Sequence, residues 1–351
     1  MAGRLKLRRG VVVSADPLEV EVAGERRRAW ADEVLLGEMR EGDEVVVNVS
    51  ALDLELGSGG FDVVHVNLTR GLDGSGVEGD AHVMKLNYTS LQHPVEPVER
   101  PVARFETHDL GAKGTTERGE GVPVAVLPLH GHLAPAAWAM AQAAPGLRVG
   151  YVQTAGGALP GSFSRDVREL RERGLLAGHI TAAPAFGGEQ EALSTVGALD
   201  AAGELGWDAI LAGPGPGIIG SDTALGHGGM AALDTAHAAL SLGLPTLISP
   251  RLSSADPRKR HLGLSHHTRT VLSLLLAPVD VAVPEGEPEI AEELESAEHR
   301  VLAVPADLDG YGASGLPTTT MGRSLTEDPL FFAAPLATGA VLARSLAGQG
   351  L

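Results

Sequence analysis

A basic, histidine-containing segment is the part of this sequence best suited to chemistry. Residues 251–269 carry five basic side chains and one carboxylate, a formal charge of +4 in a chain of net charge −18, so the remainder carries −22. A basic island in an acidic protein attracts small anions, and arginine guanidinium groups bind phosphate or carboxylate oxygens through paired hydrogen bonds. Two interpretations remain open: an anion-binding or catalytic loop, and a solvated loop whose arginines form salt bridges with the acidic surface.

Within this segment the arginines are the predicted anion ligands and the histidines are the predicted catalytic residues. Imidazole titrates near neutral pH, so a histidine beside a bound anion is suited to general acid or base catalysis. The candidates are Arg251, Arg258 and Arg260 for the anion, and His261, His266 and His267 for proton transfer.

A glycine-rich segment, residues 213–223, is the second candidate for anion binding. Its residues 215–220 match G-x-G-x-x-G between a predicted strand and a predicted helix, where glycines let a ligand approach the backbone and helix amides attract anions. The alternatives are a tight turn capped by Ser221 or Thr223, a nucleotide cofactor site, and a site for another anion. A dinucleotide fingerprint belongs to the first strand and precedes an acidic residue, where this chain has Arg251. The candidate ligands are Gly215, Gly217, Gly220, Ser221 and Thr223.

An H-x-H pair, His130 and His132, follows the first predicted strand of the α/β region. Histidines at alternate positions of an extended segment can point the same way and bind a divalent metal with other ligands. No H-E-x-x-H motif accompanies the pair, and histidines with backbone partners at a strand end are the favoured interpretation. We therefore assign no metal, and the identity of any cofactor stays open. The side chains that would complete a metal site are Asp222, His227 and either His266 or His267.

The elements that position these residues belong to two predicted domains. Residues 1–100 contain short alternating strands separated by glycine-rich turns, which is typical of a small β-barrel or curled sheet. Residues 101–119 form a predicted linker, at the end of a stretch with three prolines and interspersed charges,. Residues 120–351 alternate continuous apolar strands with helices, which predicts a parallel, doubly wound, Rossmann-like α/β sheet covered on both faces.

The predicted parallel sheet brings four loops to one edge. Ligands of such sheets bind beyond the carboxyl ends of the strands, which selects the loops at residues 128–132, 154–164, 213–223 and 249–268. The predicted helices of this region are 133–144, 163–176 with Ser162 or Ser164 as N-cap, 189–205, one from the glycine-rich segment to about 242, 265–276, and about 329–346.

Composition excludes several classes of protein. A hydrophobic fraction of 44% suffices for a core, and the absence of cysteine excludes disulfides, thiolate nucleophiles and cysteine metal sites,. The acidic balance and the 3% of aromatic residues argue against nucleic acid as a partner,. No apolar run approaches the roughly 20 residues of a membrane span, and a strand rather than an apolar signal core follows the basic amino end. We therefore expect a cytoplasmic protein with no membrane partner, and homo-oligomerisation stays open.

Six stretches along nearly the whole chain carry a family resemblance. They are residues 42–48, 56–61, 82–89, 213–220, 256–268 and 321–323. These stretches resemble the DUF3866 proteins, a bacterial family described only as a domain of unknown function. Ser58 and Ser221 stand where the family pattern has threonine. The resemblance implies a bacterial cytoplasmic protein and supplies no reaction.

Three functional hypotheses follow from the sequence. The first is an enzyme or binding protein for a small phosphorylated or carboxylated metabolite at the carboxyl edge of the sheet. The second is a non-catalytic ligand sensor or assembly protein whose β domain is the partner surface. The third is a dinucleotide-dependent oxidoreductase. Arginines of residues 251–269 that pointed away from the carboxyl edge would contradict the first hypothesis.

Overall fold

The chain forms two compact units, Met1–Gly79 and Asp80–Leu351. The predicted linker at residues 101–119 lies outside the residues that the structure describes, so the predicted domain boundaries stay predictions. The structure is a computed structural model, and it describes residues 4–56, 59–72, 80–99 and 121–347.

The first unit is a closed five-stranded barrel, which confirms the predicted β-barrel-like domain. Its elements are β1 (Leu7–Ala15), β2 (Leu18–Val22), β3 (Glu25–Trp30), α1 (Glu33–Leu36), β4 (Glu44–Asn48), α2 (Ser50–Asp53) and β5 (Asp62–Asn67). The barrel closes in the order β1-β2-β3-β5-β4, and alternating valines such as Val20, Val45 and Val47 fill its interior,. The sequence does not predict β3, because three consecutive arginines replace the apolar alternation there, and Arg27 pairs with Asp62.

The second unit contains an eight-stranded parallel sheet between helices, which confirms the predicted doubly wound α/β architecture. The first strands of the second unit, inside and outside that sheet, are β6 (Val83–Lys85), β7 (His93–Val95), β8 (Val124–Val126), β9 (Val149–Thr154), β10 (Gly178–Ala182), β11 (Gln190–Ala192) and β12 (Ala209–Pro214). Its later strands are β13 (Thr246–Ile248), β14 (Leu252–Ser253), β15 (Gly263–Leu264), β16 (Asp280–Pro284), β17 (Arg300–Val304), β18 (Thr319–Thr320) and β19 (Arg323–Ser324). Its helices are α3 (Leu133–Ala143), α4 (Arg165–Glu172), α5 (Thr195–Glu204), α6 (Ala231–Ser241), α7 (His266–Leu274), α8 (Pro288–Ser296), α9 (Leu308–Gly312) and α10 (Pro329–Leu346).

The parallel strands lie in the order β11-β10-β9-β12-β8-β13-β16-β17. Strands β9 to β11 lie on one side of β8, and β12 lies between β9 and β8. The next strand along the chain, β13, pairs with β8 on its other side. The carboxyl ends of β8, β12 and β13 therefore meet where the winding direction changes, which is the usual ligand position in such sheets.

Alternation along the strands covers both faces of the parallel sheet. Val124 and Val126 of β8 pack with α5 to α8, whereas Ala125 and Leu127 pack with α3, α4, α9 and α10. Successive strand residues point to opposite faces, so an apolar run on both parities needs helices on both sides. This arrangement keeps the carboxyl edge as the accessible place for polar side chains.

The structure corrects the start of one predicted helix and selects between the two predicted N-caps of another. The expected helix at 189–205 is wrong in its first part, because β11 pairs with β10 there and α5 begins only after Ser194, whose hydroxyl accepts from the Gly197 amide at 2.9 Å. For α4 the N-cap is Ser164, whose Oγ accepts from the Val167 amide at 3.0 Å,.

A short hairpin of β6 and β7 is attached to the parallel sheet by a buried lysine. Lys85 Nζ donates to the carbonyl of Thr181 on β10 at 2.8 Å and forms an ion pair with Glu191 on β11. The ion pair compensates the charge of Lys85, which would otherwise be buried without a partner in a low-dielectric interior. By their contacts the described residues 80–99 belong to the second unit, whereas the sequence pattern groups them with the β-rich region at residues 1–100.

The last helix, α10, has the length and hydropathy of a membrane span. Its 18 residues have a mean hydropathy of 1.4, and 67% of the helix is buried inside the unit. It packs against α3 and β16. Our expectation that no apolar run approaches membrane length is wrong for this segment, but its burial is that of a core helix.

Close packing around Trp207 makes Gly150 a sensitive position. A Cβ at Gly150 would overlap the indole ring of Trp207. We expect Gly150→Ala to lower the free energy of unfolding by about 2 kcal/mol, because overpacking a dense core forces neighbours off their rotamers. The control is Gly203→Ala in α5, where the new Cβ would lie 3.6 Å from Val122. Urea unfolding that ranked the two variants equally would contradict this prediction.

Candidate functional site

A cavity of about 440 Å³ opens at the carboxyl edge of the parallel sheet. Its walls come from the loops after β8, β12 and β13 and from the start of α7. Three of the four predicted loops therefore contribute, whereas the loop at 154–164 does not line it. Of the predicted site residues, Gly215, Ser221 and His132 lie outside the lining. The predicted residues that line it are His130, Gly217, Gly220, Thr223, Arg251, Arg258, Arg260, His261, His266 and His267.

All three predicted arginines line the cavity, and each has a carboxylate partner. Arg251 is buried, with 4% of its surface exposed, and its Nη2 lies 3.3 Å from Asp256 Oδ2. Arg258 binds the same carboxylate through Nε at 2.9 Å and Nη2 at 2.8 Å, yet 44% of its side chain stays exposed. Arg260 pairs with Asp222. The arginines therefore line a cavity, as an anion-binding loop would require, and they also form the salt bridges expected of a solvated loop.

Two buried carboxylates, Asp256 and Asp328, pair with arginines on one side of the cavity. We call this group of Arg251, Arg258 and Arg323 the basic wall. Burial opposes ionisation of Asp256, but hydrogen bonds and charge from Arg258 outweigh it and hold the pKa of Asp256 below its ordinary value. Asp328 is fully buried and accepts from Ser253 Oγ at 2.7 Å and from Arg323 Nε at 2.9 Å. Arg323 also lies 3.7 Å from Asp256.

The wall carries a local excess of positive charge. The guanidinium groups of Arg251, Arg258 and Arg323 share the two carboxylates of Asp256 and Asp328. Burial and the charge of Arg258 lower the pKa of Arg251 to about 10, so it remains charged at neutral pH. An anion in the cavity would meet a wall whose positive charge is only partly balanced.

Four histidines form a cluster on another side of the cavity: His227, His261, His266 and His267. The rings of His227 and His267 stack with centroids 3.7 Å apart and planes 7° apart. His266 stands nearly perpendicular to both, with centroids 4.4 Å from His267 and 5.7 Å from His227. His261 lies 4.8 Å from His266. His227, which the sequence suggested only as a metal ligand, is thus a member of the predicted histidine group.

The histidines of this cluster are neutral near pH 7. Burial lowers the pKa of His267 to about 2, with further lowering by His227 and Arg251. Burial and the charge of Arg251 lower the pKa of His261 to about 3. The pKa values of His227 and His266 are lowered as well, mainly by burial. The four rings therefore add little positive charge to the cavity at neutral pH.

Hydrogen bonds fix how two of these rings are oriented. Arg251 Nη1 donates to His267 Nδ1 at 3.0 Å, and His261 Nδ1 lies 2.7 Å from Ser265 Oγ. Ser265 is also the N-cap of α7, because its Oγ accepts from the His267 amide. The cap places His266 and His267 on the first turn of α7, where the helix dipole favours anions and disfavours protonated imidazole.

The H-x-H pair does not form a joint site. His130 and His132 lie in a short 3-10 turn rather than in the extended segment that we expected, and they point to different partners. His130 Nε2 lies 2.8 Å from Ser164 Oγ, whereas His132 Nδ1 lies 3.0 Å from Ser249 Oγ. His130 lines the cavity, and His132 is buried beneath it.

The glycine-rich segment forms a hairpin-like loop and not a helix start. The predicted helix is wrong in its beginning, since α6 starts at Ala231, so neither Ser221 nor Thr223 caps it. Ser221 Oγ donates to the Gly226 carbonyl at 2.9 Å, and Thr223 Oγ1 accepts from the Gly226 amide at 2.9 Å. A Cβ at Gly215 would meet the Ala158 carbonyl. Packing therefore accounts for that glycine, and the dinucleotide pattern lacks its helix.

Buried neutral histidines make the folded protein less stable as the pH is lowered. Burial lowers the pKa of His179 to about 3, where its ring stacks on Tyr151 with centroids 5.3 Å apart. Below the ordinary histidine pKa of about 6.5 the unfolded chain binds a proton that the folded chain does not. We expect the free energy of unfolding to fall by up to about 1.4 kcal/mol per pH unit for this residue below pH 6. His179→Gln should reduce that slope, measured by urea unfolding at several pH values, and an unchanged slope would contradict the assignment.

Comparison with known protein families identifies a match over most of the chain. A family model described as "Protein of unknown function (DUF3866)" matches residues 28–339. The chain belongs to the DUF3866 family. No curated protein matches the chain, and no solved structure matches it. Every residue that lines the cavity of this DUF3866 protein lies within the matched range, which starts in β3 of the barrel.

Sequence reasoning missed several residues of this candidate site. Arg323 and Asp328 join the basic wall from a segment about 70 residues beyond Asp256. The only signal was the resemblance at residues 321–323, because neither residue belongs to a recognisable chemical motif. Met321, Thr319 and Thr320 also line the cavity. The carboxyl-terminal segment before α10 is therefore part of the site.

Proposed function

We propose that this protein binds a small anionic metabolite, phosphorylated or carboxylated, in the cavity at the carboxyl edge of its parallel sheet. The observation that carries the proposal is that Arg251, Arg258 and Arg260 all line that cavity. Arginine matches phosphate and carboxylate oxygens in geometry and charge. An arrangement with these side chains turned away from the edge would have argued against anion binding.

Arg258 and Arg260 are the proposed direct ligands of the anion. A guanidinium group has five N–H donors, and Arg258 uses only Nε and Nη2 on Asp256. Arg260 pairs with Asp222, whose side chain is 78% exposed, and exposed ion pairs are worth at most about 1 kcal/mol. A ligand oxygen can therefore replace Asp222 at little cost. Arg251 is too buried to leave its partners, and it supplies charge behind the anion.

Size and helix geometry favour a small ligand. A volume of about 440 Å³ is typical of a metabolite pocket,. The first turn of α7, which begins at His266, lines the same cavity, and the amino end of a helix attracts anions. The overall charge of −18 argues against a polyanion such as a nucleic acid,.

His266 is the proposed proton-transfer residue for such a ligand. Arg251 occupies Nδ1 of His267, and Ser265 lies against Nδ1 of His261. Among the described residues, His266 Nε2 is buried and has no hydrogen-bond partner. A neutral imidazole with an unused nitrogen can act as a general base toward a bound ligand.

The test is a thermal-shift screen of the full chain in the presence of EDTA. The probes are inorganic phosphate, small phosphorylated compounds, dicarboxylates and nucleotides. A ligand that binds only the folded state raises its stability, by about 2.7 kcal/mol at 100 times Kd. We expect phosphorylated or carboxylated compounds to raise the midpoint and uncharged analogues of the same size to leave it unchanged. No response to any anion would contradict the proposal.

A further inference from the structure

We propose that His227 and His266 hold a divalent transition metal at the wall of the cavity, with His267 as the third ligand. One potential ligand nitrogen from each of the three rings lies within 4.8 Å of the others. This inference goes beyond the proposed anion site, because it rests on the histidines and not on the arginines. It would also give His266 a ligand role in place of proton transfer.

His227 is already oriented as a metal-binding histidine would be. Its Nε2 lies 3.0 Å from the Ala224 carbonyl, so this nitrogen donates and the lone pair lies on Nδ1. Nδ1 is buried and has no hydrogen-bond partner among the described residues, in a side chain that is only 7% exposed. A ligating histidine commonly donates its other N–H to a backbone carbonyl, which fixes tautomer and ring orientation. A buried nitrogen without a partner is otherwise unfavourable.

His266 supplies a second nitrogen of the same kind. Its Nε2 is buried without a partner among the described residues, and its ring stands at 78° to that of His227. Lone pairs lie in the ring plane, so two rings at a steep angle can both direct nitrogens at one ion. The N-cap by Ser265 holds His266 at the start of α7. Two unpartnered ring nitrogens therefore lie on different elements of one wall.

His267 can join only after a local rearrangement. Its Nδ1 accepts from Arg251, and its ring lies parallel to His227 at 3.7 Å, so the two in-plane lone pairs do not converge. Ligation by His267 requires the ring to tilt and the Arg251 hydrogen bond to break. The metal and Arg251 therefore compete for His267, and His267 is expected to contribute less affinity than the other two.

The donor set selects the chemical class of ion. Neutral imidazoles suit Zn²⁺, Co²⁺, Ni²⁺ and Cu²⁺, whereas Mg²⁺ and Ca²⁺ prefer oxygen ligands. Nδ1 of His227 and Nε2 of His266, both without a hydrogen-bond partner among the described residues, are nitrogen donors of this kind. Three protein ligands on a cavity wall leave a coordination position for an oxygen of a phosphate or carboxylate ligand.

The experiment is titration of the full chain with Co²⁺ and Zn²⁺ alone, after dialysis against a chelator and without phosphate. We expect one equivalent of metal to bind, with visible Co²⁺ absorption bands of nitrogen ligation. His227→Ala and His266→Ala should each weaken binding by about 100-fold, since even outer-shell changes cost 10- to 100-fold. His267→Ala should weaken binding by a smaller factor.

The controls separate this proposal from folding defects and from the anion site. His82→Ala changes an exposed histidine of the same unit, and it should bind as the unchanged protein does. His227→Gln and His266→Gln, with unfolding midpoints measured, test the ligands if an alanine variant fails to fold. Equal metal affinity in these variants and the unchanged protein, or no stoichiometric binding at all, would overturn the metal site. Because the metal titration contains no phosphate or carboxylate ligand, its result does not depend on the anion proposal.

Discussion

Replacing Arg258 by alanine should weaken binding of the phosphorylated or carboxylated ligand by about 10- to 100-fold. Its guanidinium lines the cavity and keeps donors beyond those used on Asp256. Hydrogen bonds to a charged group are worth about 1.5–3 kcal/mol, and 1.4 kcal/mol is tenfold in affinity. The measurement is isothermal titration of the compound that gives the largest thermal shift. Arg260→Ala should have an effect of the same sign.

Arg269→Ala is the matched control for this prediction. Arg269 belongs to the same basic segment, but it pairs with Glu293 on α8 and does not line the cavity. Both substitutions remove one positive charge, so a general electrostatic effect would weaken binding equally in each. We expect Arg269→Ala to keep the affinity within about twofold. Equal losses in the two variants would contradict direct contact by Arg258 and favour long-range attraction alone.

Replacing Asp256 by alanine should lower the free energy of unfolding by about 3–5 kcal/mol, because removal of one partner leaves a buried charge uncompensated. Asp256 is 1% exposed and lies against Arg251, which is 4% exposed. Without Asp256, the side-chain hydrogen bond that remains to Arg251 is the one with His267 Nδ1. Urea unfolding measures the loss, and a change below about 1 kcal/mol would contradict the role of Asp256.

Asp222→Ala is the comparison for this stability effect. Asp222 also pairs with a cavity arginine, Arg260, but its side chain is 78% exposed. Exposed ion pairs contribute at most about 1 kcal/mol, so this variant should unfold nearly as the unchanged protein does.

The effect of Asp256 should also depend on pH. Its folded pKa is lowered, so its contribution is present above about pH 3.9 and is lost as pH falls toward the folded pKa.

The hydrophobic pattern predicts most of the fold because the core repeats with the period of each element. A continuous apolar run such as residues 122–127 indicates a strand buried on both faces, and the alternation at 18–22 indicates a barrel strand,. The hydrophobic pattern does not predict strands whose formation depends on charge pairing or on a strand partner elsewhere in the chain. β3 contains three arginines in a row, and β11 is the short segment Gln190–Ala192 with two polar residues. Both depend on strand partners that the sequence pattern does not reveal.

The arginines and histidines of the site were predictable for a different reason. They concentrate in one loop after a parallel strand, and the carboxyl-edge rule then selects that loop. Their partners were not predictable, since Asp222 and Asp328 come from other loops and pair only after folding. The conformation of residues 215–226 was also hidden, because G-x-G-x-x-G describes glycines that pack a hairpin-like loop as readily as glycines that approach a phosphate.

The proposed anion site is tested most directly by histidine side-chain NMR during titration with inorganic phosphate, with chelator present. Single substitutions of His261, His266 and His267 assign the signals of histidines that line the cavity. We predict that saturating shifts concentrate on these rings, while those of His82, which is exposed, and His237, on α6 outside the cavity lining, stay constant. Saturating shifts confined to His82, His237 or other histidines outside the cavity would contradict the account.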